Sequence, residues 1–197
     1  PPISACAASA TAASSPPADA EVLAIASDFL KALAIKSTLL INSLGTSESR
    51  ASYIQKLKNY LLPQKENLSK DSQHRVELNP LRVFDSKEPQ DHAALENAPV
   101  LLDHLQENDP ESMEHFAQLC KHLDELKIEY EISPNLVRGF DYYSRTAFEF
   151  VSDQLGAQST VLGGGRYDGL VEQLGGKPTP GIGFGSGIER LLLVQEA

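Results

Sequence analysis

LVRGFDYYSRTAFEF (Leu136 to Phe150), STVLGGGRYDGL (Ser159 to Leu170) and PGIGFGSGIERLLL (Pro180 to Leu193) are the stretches that decide how this chain is read. Ten of its thirteen glycines lie between Gly163 and Gly187, interleaved with Arg166, Tyr167 and Asp168 and followed closely by Glu189 and Arg190. Glycine at that density weakens any strand or helix that contains it. A fold keeps it where turns are tight or where a ligand approaches bare backbone.

In PGIGFGSG, glycines 181, 183 and 185 alternate with Ile182 and Phe184. On a strand, one face then carries only hydrogen atoms while the other packs Ile and Phe into a core. A flat ring can lie directly on such a face. The helix expected from about Gly187 directs its first N–H groups forward with Arg190 in its first turn, which makes an anion site suited to phosphate. The same residues also fit a tight strand-to-helix joint, so both readings stand at this point.

RGFDYY (Arg138 to Tyr143) adds a second cation and two phenols. Arg138 and Tyr142 share a face of an ideal strand and Tyr143 falls on the other; a bend at Gly139 brings Arg138 and Tyr143 into one pocket. Adjacent tyrosines also serve packing and surface. An arginine between Val137 and Gly139, however, is costly to bury without an anionic partner. Asp141 and Asp168 are candidate partners for Arg145 or Arg166. The glycines match neither GxxxxGK[ST] nor GxGxxG in the required context. There is no Ser/His/Asp or Cys/His arrangement and no pair of carboxylates placed for acid–base work. Cations, phenols and bare backbone suit electrostatic handling of a phosphoryl group.

Working outward, 197 residues with 41% apolar and 22% charged residues suffice for a buried core. The net charge of −10 excludes binding to nucleic acid by bulk electrostatics. No apolar run approaches the roughly 18–20 residues needed to span a bilayer. Cys6 and Cys120 lack metal-ligand spacing and read as reduced thiols in a reducing compartment, the cytoplasm or an organelle. Residues 1–17 are Ala/Ser/Pro low complexity without Arg or Lys, expected to be an unstructured lead rather than a targeting peptide.

Residues 18–63 predict a helix capped at Asp19, a strand over Ser37 to Asn42, and a helix from Thr46 or Ser47 to Pro63. Residues 64–131 pattern weakly, with short strands or turns expected over Val76 to Lys87. Asp109-Pro110 is a strong helix start. His115 and His122 lie seven apart on that helix without a third ligand and read as solvated or rim histidines, so no protein-bound metal is expected. A strand IEYEI (Ile128 to Ile132) leads into residues 132–197, which predict a long strand over Leu136 to Val151 and a strand over Thr160 to Leu162. A Gly163–Gly165 turn, a helix over Tyr167 to Leu174, a strand over Gly181 to Phe184 and a last helix complete the chain. The succession favours an α+β fold with an antiparallel sheet and helices against it.

Together the three glycine-rich motifs resemble the C-terminal half of the catalytic domain of the histidyl-tRNA synthetases, class II aminoacyl-tRNA synthetases. RGFDYY is similar to that family's histidine-specific motif RGLDYY, with Phe140 in place of leucine. GIGFGSGIER is similar to class II motif 3, whose arginine is here Arg190. The likeness extends through DAEVLAIASDFLKAL, LLINSLG, NPLRVFDSK and HFAQLCKHL and covers residues 18–197.

The resemblance implies a partial α+β domain with an antiparallel class II sheet flanked by helices. Residues 18–63 and 132–197 would be its catalytic parts, with residues 64–131 as an insertion near the tRNA acceptor stem. It implies activation of L-histidine by ATP with Mg2+ and transfer to tRNA(His), in a family of homodimers. By motif position, Arg138 would contact the α-phosphate and the histidine carboxylate and offset charge developing in transfer. Tyr142 and Tyr143 would line the histidine pocket, with Tyr143 at the imidazole and Gly164 and Gly165 beside the amino acid. Arg190 would hold the γ-phosphate, and Gly183 and Gly185 would floor the adenine site. Motif 1, motif 2 and an anticodon-binding domain have no counterpart in the 197 residues, so the chain alone is expected to be inactive. A histidine-sensing regulatory paralogue that charges no tRNA is the alternative, and a non-catalytic interaction protein a third. Such regulatory paralogues generally lose the RGxDYY pattern, whereas Arg138, Asp141, Tyr142 and Tyr143 are present here.

Overall fold

Alternating large residues in TLLINS, SRTAFEFV and GIGFGSG give three strands one apolar face each, and a sheet assembles to bury it. The computed structural model describes residues 5–11, 14–138, 141–155 and 159–196. Its strands are β1 (Ala5–Thr11), β2 (Thr38–Ser43), β3 (Glu131–Ile132), β4 (Ser144–Val151), β5 (Thr160–Arg166) and β6 (Gly181–Gly187), in spatial order β1-β6-β5-β4-β2-β3. Neighbours are antiparallel except β2 and β3, which run parallel, so the sheet is mixed rather than wholly antiparallel.

One face of the sheet presents Leu39, Ile41, Phe148, Phe150, Leu162, Ile182 and Phe184 to α1 (Pro16–Ala32) and α6 (Pro110–Glu125), and this is the main core. The helices between β2 and α6 are α2 (Ser47–Leu61), α3 (Lys70–Leu78), α4 (Pro89–Leu95) and α5 (Leu101–Asn108). They build a second apolar cluster that takes in Val137 and Ala147. The α+β architecture, with helices flanking a single sheet, agrees with the expectation from sequence.

The caps show why the middle of the chain holds its shape. Thr46 caps α2 by accepting from the Ser49 N–H, as the sequence predicts. Asp109 caps α6, accepting from the Ser112 N–H at 3.0 Å, and its other oxygen takes the Thr46 N–H at 3.0 Å and the Ser49 hydroxyl at 2.6 Å. One carboxylate therefore ties two helix N-termini together. Burial works against its charge, but these donors more than offset that and hold its pKa at about 2.

Several expectations are corrected. The lead over residues 1–17 is not unstructured where the structure describes it: residues 5–11 form β1 beside β6, and α1 starts at Pro16. ACAASAT lacks apolar periodicity, yet small residues are what fit against a glycine strand. A Cβ on Gly183 would stand 2.7 Å from Ser9 Cβ. Asp19 lies inside α1, whose cap position is Ser15, and is buried. Residues 76–87 form the end of α3 and a 3₁₀ segment, Pro80–Asp85, instead of strands. The long strand predicted from Leu136 is only β4, IEYEI supplies only the two residues of β3, and the helix near Tyr167 is only α7 (Leu170–Gln173). Gly163 to Gly165 do not turn; they lie within β5.

His115 is 5% exposed, not solvated, with Nε2 2.8 Å from Asp19 Oδ2. Arg166, itself 0% exposed, donates to both Asp19 oxygens and to Asp168 Oδ1, and the Thr146 hydroxyl donates to Asp19 as well. Burial pushes the Asp19 carboxyl up, but the hydrogen bonds from His115, Arg166 and Thr146 and the Arg166 charge bring it below its ordinary 3.8. This cluster fixes α1, α6, β4 and β5 to one another at the inner side of the sheet.

Candidate functional site

The outer face of the sheet is where glycines meet glycines. Gly163 pairs with Gly185 and Gly165 with Gly183 across β5 and β6, so four positions without side chains share one patch. Side chains from elsewhere occupy part of it. A Cβ on Gly163 would lie 2.8 Å from Arg138 Nη2, and one on Gly165 would lie 2.9 Å from the Tyr143 ring. Glycine is required there because an arginine and a tyrosine approach the backbone directly. Gly185 has nothing within 4 Å on that side and remains open.

Arg138 arrives from the segment before β4 and is anchored three ways. Its Nη1 donates to Glu149 Oε1 at 2.8 Å, and its Nη2 donates to the Gly164 carbonyl at 3.1 Å and to the Phe148 carbonyl. Glu149 Oε2 also accepts from the Thr160 hydroxyl at 2.8 Å. The guanidinium carbon lies 5.8 Å from the centroid of the Tyr143 ring, within cation–π range. Arg138 and Tyr143 therefore do come together, while the bend foreseen at Gly139 falls outside the described residues.

Two cavities flank this arginine. The first, of about 330 Å³, is lined by Ser9, Tyr142, Tyr143, Tyr167 and Gly183 among others. The rings of Tyr142 and Tyr143 are 4.6 Å apart. Burial, helped by the Tyr142 hydrogen bond, pushes the Tyr143 phenol up to about 12, so it stays protonated at neutral pH and can both donate and accept. Among the described residues, none lining this cavity is charged. The second cavity, of about 550 Å³, is lined by Arg138, Glu149, Thr160, Gly185 and Arg190, with Lys87 at one side. Arg190 stands in the first turn of α8 (Ile188–Glu196) and donates to the Thr160 carbonyl at 2.7 Å. A larger cavity of about 610 Å³ lies between α1, β2 and the α6–β3 connection, and none of the candidate site residues lines it.

The sequence-named residues thus divide. Arg138, Gly185 and Arg190 share the cation-lined cavity, whereas Tyr142, Tyr143 and Gly183 share the phenol-lined one. Gly165 touches the second group through Tyr143. Gly183 and Gly185 differ in access, because Ser9 of β1 packs against Gly183 while nothing lies within 4 Å of Gly185. Gly164 faces the core against Phe148 and reaches the site only through its carbonyl. Asp168 pairs with Arg166, as one reading allowed, while Arg145 pairs with Glu111.

Three supporting residues were not legible in advance. The buried Arg50 of α2 donates to the carbonyls of Asp141 and Tyr143 and so fixes the backbone that carries both tyrosines. Asn42 donates to the carbonyls of Pro134 and Leu136, just ahead of Arg138. Glu149 orients Arg138. Asn42 and Glu149 are signalled only as a polar residue in an apolar stretch and Arg50 not at all, and their partners lie 11 to 94 residues away.

Comparison with known proteins fits this geometry. Residues 7–191 match the family described as Histidyl-tRNA synthetase. The chain is 54% identical over 182 residues to the histidine–tRNA ligase of Streptococcus sanguinis, covering 92% of this chain and 42% of the relative. It is 52% identical over 180 residues to that of Crocosphaera subtropica, covering 91% and 41%. The apo histidyl-tRNA synthetase of Staphylococcus aureus superposes with a TM-score of 0.75 at 37% identity, over 98% of this chain and 47% of that one. The chain thus spans about two-fifths of the length of the curated relatives it matches. With a family match over residues 7–191 of 197, and with Arg138, the tyrosine pair and Arg190 gathered on one glycine-faced sheet, this chain belongs to the histidyl-tRNA synthetase family.

Proposed function

We propose that this chain forms one wall of the site in which a histidine–tRNA ligase activates histidine with ATP and passes it to tRNA(His). The observation that carries the reading is the placement of Arg138, whose guanidinium lines the cation-lined cavity and lies against Tyr143 of the phenol-lined one. L-Histidine is assigned to the tyrosine side, with the protonated Tyr143 phenol facing the imidazole, Tyr142 beside it and Gly165 beneath. ATP is assigned to the other side, with adenine on the open face of Gly185 and the γ-phosphate at Arg190.

In the first step a histidine carboxylate oxygen attacks the α-phosphorus. The new P–O bond forms as the bond to the bridging oxygen breaks, and pyrophosphate leaves with the electron pair. Arg138 offsets the charge that develops on the α-phosphoryl oxygens, a preorganised electrostatic contribution. In the second step the 3′-terminal ribose hydroxyl of the tRNA attacks the acyl carbon and AMP departs. Mg2+ travels with ATP. Among the described residues Glu149 is the carboxylate lining the cavity, and it would hold that ion together with phosphate oxygens.

Among the described residues the tyrosine cavity offers no carboxylate for the α-ammonium group or for an imidazolium. Those partners, motif 2, and the surfaces of a homodimer belong to the remainder of the synthetase, as does most tRNA contact for a chain of net charge −10. A reducing compartment, the cytoplasm above all, suits the two free thiols.

The test is a chimaera in which the matched 182-residue segment of the Streptococcus sanguinis ligase is replaced by the corresponding segment of this chain. L-Histidine-dependent ATP–pyrophosphate exchange is expected within about tenfold of the parent, a loss of at most roughly 1.4 kcal/mol in transition-state stabilisation. The 197-residue chain alone is expected to show none. A folded chimaera that binds histidine but never exchanges pyrophosphate would favour the sensing paralogue instead.

A further inference from the structure

The cation-lined cavity has a contributor from outside the catalytic sheet. Lys87 follows the 3₁₀ segment Pro80–Asp85 in NPLRVFDSK, within the inserted helical region, and lines the same cavity as Arg138, Glu149, Gly185 and Arg190. Its position is built rather than incidental. Leu81 and Val83 bury the segment before it, and the neighbouring Ser86 hydroxyl donates to Asp91 Oδ2 at 2.5 Å. Asp91 also collects the hydroxyls of Ser69 and Ser72 and the Ser69 N–H, which pins the loop to the start of α3. On the same loop, the Asp85 carboxyl is pushed up by desolvation and drawn down by Arg82 and Arg75. It also senses Glu149 and Arg138, so the loop lies within electrostatic reach of both.

Three cations (Lys87, Arg138 and Arg190) face one carboxylate (Glu149), a local sum of +2 in a chain whose net charge is −10. Arg138 lines the cavity with its guanidinium held by Glu149 and by the Phe148 and Gly164 carbonyls. Arg190 and Lys87 approach from α8 and from the inserted loop. A triphosphate needs cations spaced along its length, and an ammonium on a flexible stem is a suitable point charge for an outer phosphate.

We infer that Lys87 is a third phosphate-binding residue, contacting the outer phosphates of a nucleoside triphosphate and making the inserted region one side of the nucleotide cavity. The inference rests on the reading of this cavity as the ATP site. It adds a consequence for the fold: the insertion senses whether nucleotide is bound, because one of its residues holds the phosphate tail.

Calorimetric titration of the full 197-residue chain with inorganic tripolyphosphate and, separately, with adenosine tests it. Lys87 is exposed, so its substitution leaves the fold intact. Lys87→Gln is expected to weaken tripolyphosphate binding about tenfold and leave adenosine binding unchanged, the size of one charge-assisted contact. Lys87→Arg should retain binding within about threefold, and Lys121→Gln on the far side of the sheet should have no effect. If Arg190→Gln weakens tripolyphosphate but Lys87→Gln does not, the role of Lys87 is overturned while the nucleotide reading survives. Equal losses from Lys87→Gln and Lys121→Gln would reduce the effect to overall charge and also overturn it. A wild-type chain that binds neither probe sinks the inference and the nucleotide reading together.

Discussion

Arg166→Ala is expected to cost the chain about 3–5 kcal/mol of stability, because it leaves a carboxylate buried without its cation. Asp19 and Arg166 are both 0% exposed, and the guanidinium reaches both Asp19 oxygens as well as Asp168. His115 and Thr146 remain as donors to Asp19, but neither brings a permanent charge. The loss propagates because the cluster joins α1 and α6 to the sheet, and Asp168 also accepts the Gly181 N–H at the start of β6. Urea unfolding monitored by circular dichroism gives the number; a change under about 1 kcal/mol would mean that the pair is dispensable. The same variant carries a pH signature. The folded Asp19 carboxyl is held below 3.8, its ordinary value, so its stabilising contribution is complete above that value and disappears as pH falls through it toward the folded pKa. Asp91 and Asp109, each held at about 2, add acid sensitivity of the same sign. Wild type should therefore lose more stability than Arg166→Ala between pH 6 and pH 3.

The second large effect is on catalysis. In the chimaera with the Streptococcus sanguinis ligase, Arg138→Gln is expected to lower the rate of histidine-dependent pyrophosphate exchange by about 10² to 10³, the usual consequence of removing one preorganised donor from a developing charge. Arg138→Lys should recover little, since a guanidinium fork donates to Glu149 on one side and to two carbonyls on the other, and an ammonium cannot span them. Part of any loss is structural, because those carbonyls are left short of a donor, at a cost of about 1–3 kcal/mol. Stability and exchange therefore have to be measured on the same preparations. A stable Arg138→Gln chimaera with unaltered exchange would remove this arginine from the mechanism.

How much of this was legible depended on how local the cause was. The β6 strand announced itself through GIGFGSG, because alternation needs only the strand's own period, and Asp109-Pro110 announced α6 through its cap. The glycine run of β5 was misleading. Three glycines in a row suggest a turn, but here the reasons for them come from Arg138, β6 and Tyr143, which approach from other segments. β1 was missed because its stabilising partner is the glycine strand at the other end of the chain, and nothing in ACAASAT itself favours an extended form. His115 looked like a surface histidine until Asp19, 96 residues earlier, was seen beside it. The candidate site shows the same division. Arg138, Tyr143 and Arg190 stood out as chemistry, while Arg50, Asn42 and Glu149, which hold them in place, were visible only once the chain was folded.

The claim on which the rest depends is that ATP occupies the cavity between Arg138 and Arg190, with its base on the open glycine. Photolabelling the chain with 8-azido-ATP, followed by peptide mapping, addresses it directly. Saturable label is expected on peptides within residues 159–190, protected by excess ATP and strongly reduced in Arg190→Gln. Label confined to the cavity between α1 and β2, or equal labelling of wild type and Arg190→Gln, would contradict it.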